Sequence, residues 1–194
     1  MKTNELTWPN QFSSNYKKKA LFLDRDGIIN VDKSYVYRME DIEWMPGIIE
    51  LIQAANQRDF LVVVLTNQSG VARNYYTEAD IHKLHQAMDQ HLQACKAIVH
   101  KWYYCPHLEG PFRKPAPGMM IQAAHELTID LSKSWMLGDK PSDVLDLAGP
   151  SYNLLRGHYP LVFNQDRDLQ SINFFDDLYS FLDFFISKNE MISP

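Results

Sequence analysis

The feature that most constrains this chain is its alternation of short apolar runs with amphipathic segments. The runs are "ALFLD" (20–24), "FLVVVLTNQSG" (60–70), "VHKWYYC" (99–105), "SWMLGD" (134–139) and a short one at "NLLRG" (153–157). The second is β-branched and unbroken, as expected of a strand covered on both faces. Between them, "PGIIELIQAANQR" (46–58) repeats apolar residues at Ile48, Ile49, Leu51, Ile52 and Ala55, with Pro46 suited to a first helical turn. "TEADIHKLHQAMDQHLQ" (77–93) opens Thr-x-x-Asp, a variant of the capping box. "APGMMIQAAHEL" (116–127) and "SDVLDLA" (142–148) predict two more helices. This order predicts an α/β fold: a Rossmann-like open, largely parallel sheet flanked by helices.

A chain of 194 residues, 45% hydrophobic, suits one core rather than two. Residues 1–16 are polar and aperiodic and read as an N-terminal arm; residues 17–194 read as a single domain. In the tail "INFFDDLYSFLDFFIS", Phe174, Phe175, Leu178, Phe181, Leu182 and Phe185 fall on one helical face, which predicts a terminal helix packed on the core. Its polar face carries Asp176, Asp177 and Asp183, the wrong charge for an anionic lipid surface. A formal charge of −5 leaves no basic footprint, so nucleic acid is not an expected partner. The start lacks a signal-peptide core, and no apolar run approaches the ~18 residues needed to cross a membrane. Two cysteines, Cys95 and Cys105, are too few for a disulfide scaffold, and the expected compartment is the cytosol.

Four of the predicted strands end in polar groups: Asp24 and Asp26, then Thr66-Asn67-Gln68-Ser69, then a loop with Arg113 and Lys114, then Gly138-Asp139. Strand ends of a parallel sheet converge on one edge, where ligands bind. Carboxylates gathered there repel unless a cation or a lysine compensates. Hard oxygen donors without a His or Cys cluster favour Mg²⁺, which seeks phosphate, so the pattern points to phosphoryl chemistry. An Asp-x-Asp-Gly turn alone is common. A calcium loop is excluded because two ligand positions would fall on Ile28 and Tyr35. The ordered occurrence of all four segments is what carries the reading.

"FLDRDG", "VVVLTNQSG", "RKPAPGM" and "MLGDKPSD" resemble the four ordered motifs of the haloacid dehalogenase superfamily of aspartate-nucleophile phosphatases. The similarity spans about Lys19 to Gly149 and is greater to the branch of heptose 1,7-bisphosphate and histidinol-phosphate phosphatases. The resemblance implies Asp24 as nucleophile, Asp26 as general acid and base, and Thr66 and Lys114 as phosphoryl-binding catalytic groups. It implies Mg²⁺ held by Asp24, the Asp26 backbone carbonyl and Asp139, while Asp143 orients Lys140 or caps the short helix. No segment is long enough for the separate cap domain that this superfamily often inserts. Substrate would then be read by loops: Asp32, Lys33, Ser34 and Tyr35 at the sugar, Asn67, Gln68 and Ser69 beside them, and Arg113, Arg73 and Lys140 at phosphate.

The branch usually carries a zinc loop, Cys-x-His followed by Cys-x-Cys, before the third motif. Here only Cys105 and His107 remain, too few for a tetrahedral structural site, so zinc is not expected. The expected activity is Mg²⁺-dependent hydrolysis of a small sugar phosphate, foremost the heptose 1,7-bisphosphate of lipopolysaccharide core precursor (ADP-heptose) synthesis. Histidinol phosphate or a broad set of small phosphomonoesters is the alternative. A catalytically silent binding protein is the alternative of another class; the intact charged cluster argues against it. Oligomeric state is not legible.

Overall fold

The computed structural model describes residues 17–157, 160–163 and 171–190. The arm expected at 1–16 lies outside them. Six parallel strands form one sheet: β1 (Lys19–Leu23), β2 (Phe60–Asn67), β3 (Lys101–Cys105), β4 (Trp135–Gly138), β5 (Ser151–Leu155) and β6 (Ile172–Phe175). The helices are α1 (Ile48–Gln57), α2 (Glu78–Ala94), α3 (Gly118–Leu127) and α4 (Leu178–Lys188).

Strand order is β3-β2-β1-β4-β5-β6, with every pairing parallel. The chain winds outward from β1 to β3, then returns to the other side of β1 as β4. That reversal opens a crevice beyond the carboxyl ends of β1 and β4. Alternate residues of β1 and β2 feed two cores. Leu21, Leu23, Val62 and Val64 face one side with α1, α2 and α4, and Ala20, Phe22, Val63 and Leu65 face the other with α3. Burial on both faces explains the unbroken apolar runs. The Thr77/Asp80 capping box forms: the Asp80 amide donates to Thr77 Oγ1 (3.2 Å), and the Thr77 amide donates to Asp80 Oδ2 (2.9 Å).

Two expectations are corrected. The single tail helix is a strand followed by a helix. Residues 172–175 extend beside β5, and Asp177 then starts α4 by accepting from the Ser180 amide (2.7 Å). Phe174 and Phe175 therefore belong to β6, while Leu178, Phe181 and Phe185 pack into the core. The short helix expected at 142–148 is one 3₁₀ turn, Pro141–Asp143. Asp143 bends back to accept from the amides of Asp139 (3.2 Å) and Lys140 (3.0 Å), which closes the turn after three residues. Among the described residues no helix is long and apolar enough to cross a membrane.

Candidate active site

The carboxyl end of β1 delivers Asp24 into the crevice, and the end of β4 delivers Asp139. Both are buried, at 5% and 4% exposure. Gly27 makes the approach possible: its φ of 95° is left-handed, and a Cβ there would fall on the Asp139 carboxylate. Asp24, Asp139 and Asp143 each bring a carboxylate oxygen within 4.8 Å of the others.

One buried lysine offsets this charge. Lys114 Nζ lies 2.9 Å from Asp24 Oδ1 and 2.6 Å from Asp143 Oδ1. Its backbone is fixed to the end of β2, where Asn67 Nδ2 donates to the Lys114 carbonyl (3.0 Å) and Asn67 Oδ1 accepts from the Lys114 amide (3.0 Å). Burial alone would lower the Lys114 ammonium, but Asp143 and Asp24 outweigh it and hold it above its usual range. Burial pushes Asp24 up to about 6 against the pull of Lys114, and pushes Asp139 up to about 8, with the charge of Asp24 adding to the effect. Asp139 Oδ1 is buried without a hydrogen-bond partner.

Asp26 sits beside this cluster rather than in it. Its carboxylate accepts from Arg25, Asn30 and Gln68, and it lines a cavity of about 200 Å³ with Asp32, Ser34, Tyr35, Asn67, Gln68, Ser69, Tyr76 and Lys140. Lys140 Nζ pairs with Asp32 Oδ2 at 2.9 Å and lies 3.9 Å from Asp139 Oδ1; despite burial, neighbouring carboxylates hold the ammonium above its usual range. Ser34 and Tyr35 both adopt left-handed backbone, φ 60° and 52°. This is uncommon for a bulky residue, and it turns the loop over the cavity.

The cavity does not collect all the expected substrate residues. Lys33 points to Glu43 Oε2, 3.0 Å away, and is half exposed. Arg113 Nη1 donates to the His107 carbonyl (3.0 Å), and Arg73 is exposed; neither lines the cavity. Gln68 lines it but is buried, with its amide already engaged by Thr66, Asp26 and Tyr76. Cys105 is buried, its Sγ 4.0 Å from the His107 carbonyl oxygen. Arg25, Tyr76 and His85, which no sequence motif singles out, also come to this edge. Asp143, expected to orient Lys140 or cap the short helix, caps the turn through the Asp139 and Lys140 amides and also accepts from Lys114 Nζ (2.6 Å). The four-residue offset from Asp139 in "GDKPSD" was the available signal.

A family model described as polynucleotide kinase 3 phosphatase matches residues 19–151. The D-glycero-alpha-D-manno-heptose-1,7-bisphosphate 7-phosphatase of Campylobacter jejuni is 41% identical over 174 residues, covering 89% of this chain and 99% of that relative. This chain belongs to the haloacid dehalogenase superfamily of phosphatases, in its heptose-bisphosphate branch. A beta-anomer-named family member from Helicobacter pylori is 44% identical over 131 residues, 66% of this chain and 76% of that one. The crystal structure of D,D-heptose 1,7-bisphosphate phosphatase from B. bronchiseptica, complexed with magnesium and phosphate, superposes with a TM-score of 0.74. It is 27% identical and covers 88% of this chain and 99% of that one.

Proposed function

We propose that this chain is a Mg²⁺-dependent phosphatase that removes the 7-phosphate of D-glycero-D-manno-heptose 1,7-bisphosphate through an aspartyl-phosphate on Asp24. The observation that carries the chemistry is a buried aspartate at a strand end, paired to a buried lysine, beside a buried carboxylate oxygen with no hydrogen-bond partner. The names of the relatives carry the substrate.

The donor set fits Mg²⁺. Asp139 Oδ1, buried without a hydrogen bond, and the gathered carboxylates are hard oxygen donors, and the space kept by Gly27 lets Asp139 approach. Asp24, Asp139 and the Asp26 carbonyl would hold the ion, with Asp143 behind them. When bound, it supplies positive charge that reduces repulsion between the anionic nucleophile and the anionic phosphate.

Asp24 attacks phosphorus, a P–O bond forms and the ester P–O bond breaks. Lys114, fixed by Asn67, orients Asp24 and neutralises charge on the phosphoryl oxygens. Thr66 holds a phosphoryl oxygen. Asp26 gives its proton to the departing sugar oxygen, then takes one from the water that hydrolyses the aspartyl-phosphate. The sugar occupies the polar cavity walled by Asp32, Ser34, Tyr35 and Lys140. A phosphorylated sugar of this kind is a cytosolic metabolite, and the proposed step belongs to lipopolysaccharide core precursor synthesis.

Phosphate release from a panel containing the heptose bisphosphate, histidinol phosphate and simple sugar monophosphates tests the substrate. The bisphosphate should give the highest kcat/KM. Preference for histidinol phosphate or a monophosphate removes the substrate assignment and leaves the Asp24 chemistry standing.

A further inference from the structure

Asp26 is held unlike any other carboxylate among the described residues at this edge. Arg25, beside it in sequence, is fully buried. Its Nη2 donates to Asp26 Oδ1 (2.9 Å) and Oδ2 (2.8 Å), and its Nε lies 3.2 Å from Oδ1. Asn30 Nδ2 adds a donor to Oδ1 (3.0 Å), and Gln68 Nε2 adds one to Oδ2 (2.9 Å). The guanidinium is itself anchored, by Nη2 to the Val36 carbonyl (2.7 Å) and by Nη1 lying 3.4 Å from His85 Nε2. A guanidinium only donates, so His85 Nε2 accepts and the ring is neutral. Burial lowers the His85 pKa in the same sense, and the ring stacks on Trp102 with centroids 4.7 Å apart.

Gln68 links this clamp to the phosphate-binding strand end. Its Nε2 donates to Thr66 Oγ1 (2.9 Å) as well as to Asp26, and its Oε1 accepts from the Tyr76 hydroxyl (2.8 Å). The Asp26 carboxylate fixes which way the amide points: its oxygen accepts, so the NH₂ group faces Asp26 and Thr66 and Oε1 is left to accept from Tyr76. Burial pushes the Tyr76 phenol up to about 12, so it stays a donor. The Tyr76 ring is seated on Gly70, where a Cβ would strike it.

A buried ion pair is weak evidence for a stabilising role, because desolvation offsets much of its attraction. A fold-stabilising pair also has no need to join Asp26 to Thr66. We propose that Arg25, Gln68 and Tyr76 are positioning residues that fix the Asp26 carboxylate for proton transfer and tie it to the Thr66 hydroxyl. This rests on the reading of Asp26 as the acid–base group.

The test uses the full chain with Mg²⁺ and the variants Tyr76→Phe, Arg25→Lys and Asp26→Asn. Two substrates are compared: p-nitrophenyl phosphate, whose leaving group needs no proton, and an alkyl sugar phosphate, whose leaving group does. Tyr76→Phe should lower kcat on the alkyl ester about three- to tenfold, and Arg25→Lys about a hundredfold, with KM within about twofold. On the aryl ester, the first turnover should keep its rate while the steady state slows, giving a burst of nitrophenolate, because only hydrolysis of the aspartyl-phosphate still needs Asp26. Equal losses on both esters and both steps would mark a merely structural role and overturn the proposal. So would unchanged rates in Tyr76→Phe, which decides the matter if Arg25→Lys does not fold. A normal rate in Asp26→Asn would instead remove the acid–base reading itself.

Discussion

The crevice between β1 and β4 and the mouth of the neighbouring cavity are built from opposite materials. In the crevice, Asp24, Lys114, Asp143 and Asp139 are buried and locked to one another, and Asn67 fixes the lysine from the backbone upward. At the mouth, Tyr35 is exposed and meets the exposed Tyr75 edge-on, centroids 4.8 Å apart, and the loop is held by the Asp32–Lys140 pair. A buried charge without its partner is strongly unfavourable, so the crevice tolerates almost no change. An exposed loop can vary its side chains without endangering the fold. The comparison teaches that the reaction is set by what the fold cannot relinquish, while substrate choice rests on what it can.

The largest effect should break the crevice. Asp24→Asn keeps nearly the same volume, leaves Lys114 paired to Asp143 and removes the proposed nucleophile, so turnover should fall more than about a thousandfold while the melting temperature stays near that of the parent. More than a few per cent of the parent rate in single-turnover measurements would contradict the covalent route. Lys114→Met should act on stability as well as on rate. It strands Asp24 and Asp143 in a buried setting, a loss of about 3–5 kcal/mol, or roughly 6–20 °C in a chain of this size. Calorimetry checks it; a melting temperature unchanged within a degree would mean the cluster relaxes freely.

The next effect is set by pH. In the metal-free protein, Asp24 at about 6 and Asp139 at about 8 lie above the ordinary 3.8 of an unfolded aspartate. The folded chain therefore holds protons that the unfolded chain has released. The stability these groups contribute is complete below about pH 4 and is lost as pH rises through 6 and then 8. Mg²⁺ takes the same oxygens and replaces the protons, so it should raise the melting temperature more at pH 8.5 than at pH 6. An equal shift at both values would show that the ion binds elsewhere.

The same division explains what was legible. Each strand end announced its chemistry because an apolar run terminating in Asp24, Thr66 or Asp139 is a local pattern. Asp143 was visible as a residue but not as a partner of Lys114, since the two are joined only when β4 lies beside β1. The strand β6 hid inside a helical periodicity: Phe174 and Phe175 continue the apolar stripe of α4, and only pairing with β5 fixes them as extended. Arg25 gave no signal because its partners Val36, His85 and Asp26 come from three segments. Within the loop 32–35, Asp32, Ser34 and Tyr35 line the cavity while Lys33 turns to Glu43, because the direction of a side chain on an irregular backbone is set by neighbours remote in sequence.

The smallest effects sharpen the contrast at the mouth. Arg113 is half-buried next to Lys114 and is bonded to the loop through the His107 carbonyl. As a cation in the loop beside Lys114, it is the candidate to meet a phosphate at the far end of the substrate. Arg113→Ala should lose about ten- to a hundredfold in kcat/KM on a bisphosphate and much less on a monophosphate, the usual range for one charged hydrogen bond. Lys33 is the opposite case. Its ammonium faces Glu43 Oε2 at 3.0 Å and the Asp41 carbonyl at 3.4 Å, away from the cavity lining, and both side chains of the pair are largely exposed. Exposed pairs of this kind contribute only about 0.2–1 kcal/mol. Lys33→Ala should therefore change kcat/KM on mono- and bisphosphates alike by less than about twofold, and parallel kinetics on the two esters read the difference directly. A loss confined to the bisphosphate would show that Lys33 leaves Glu43 when substrate arrives, and that the mouth closes on its ligand in a way the crevice does not.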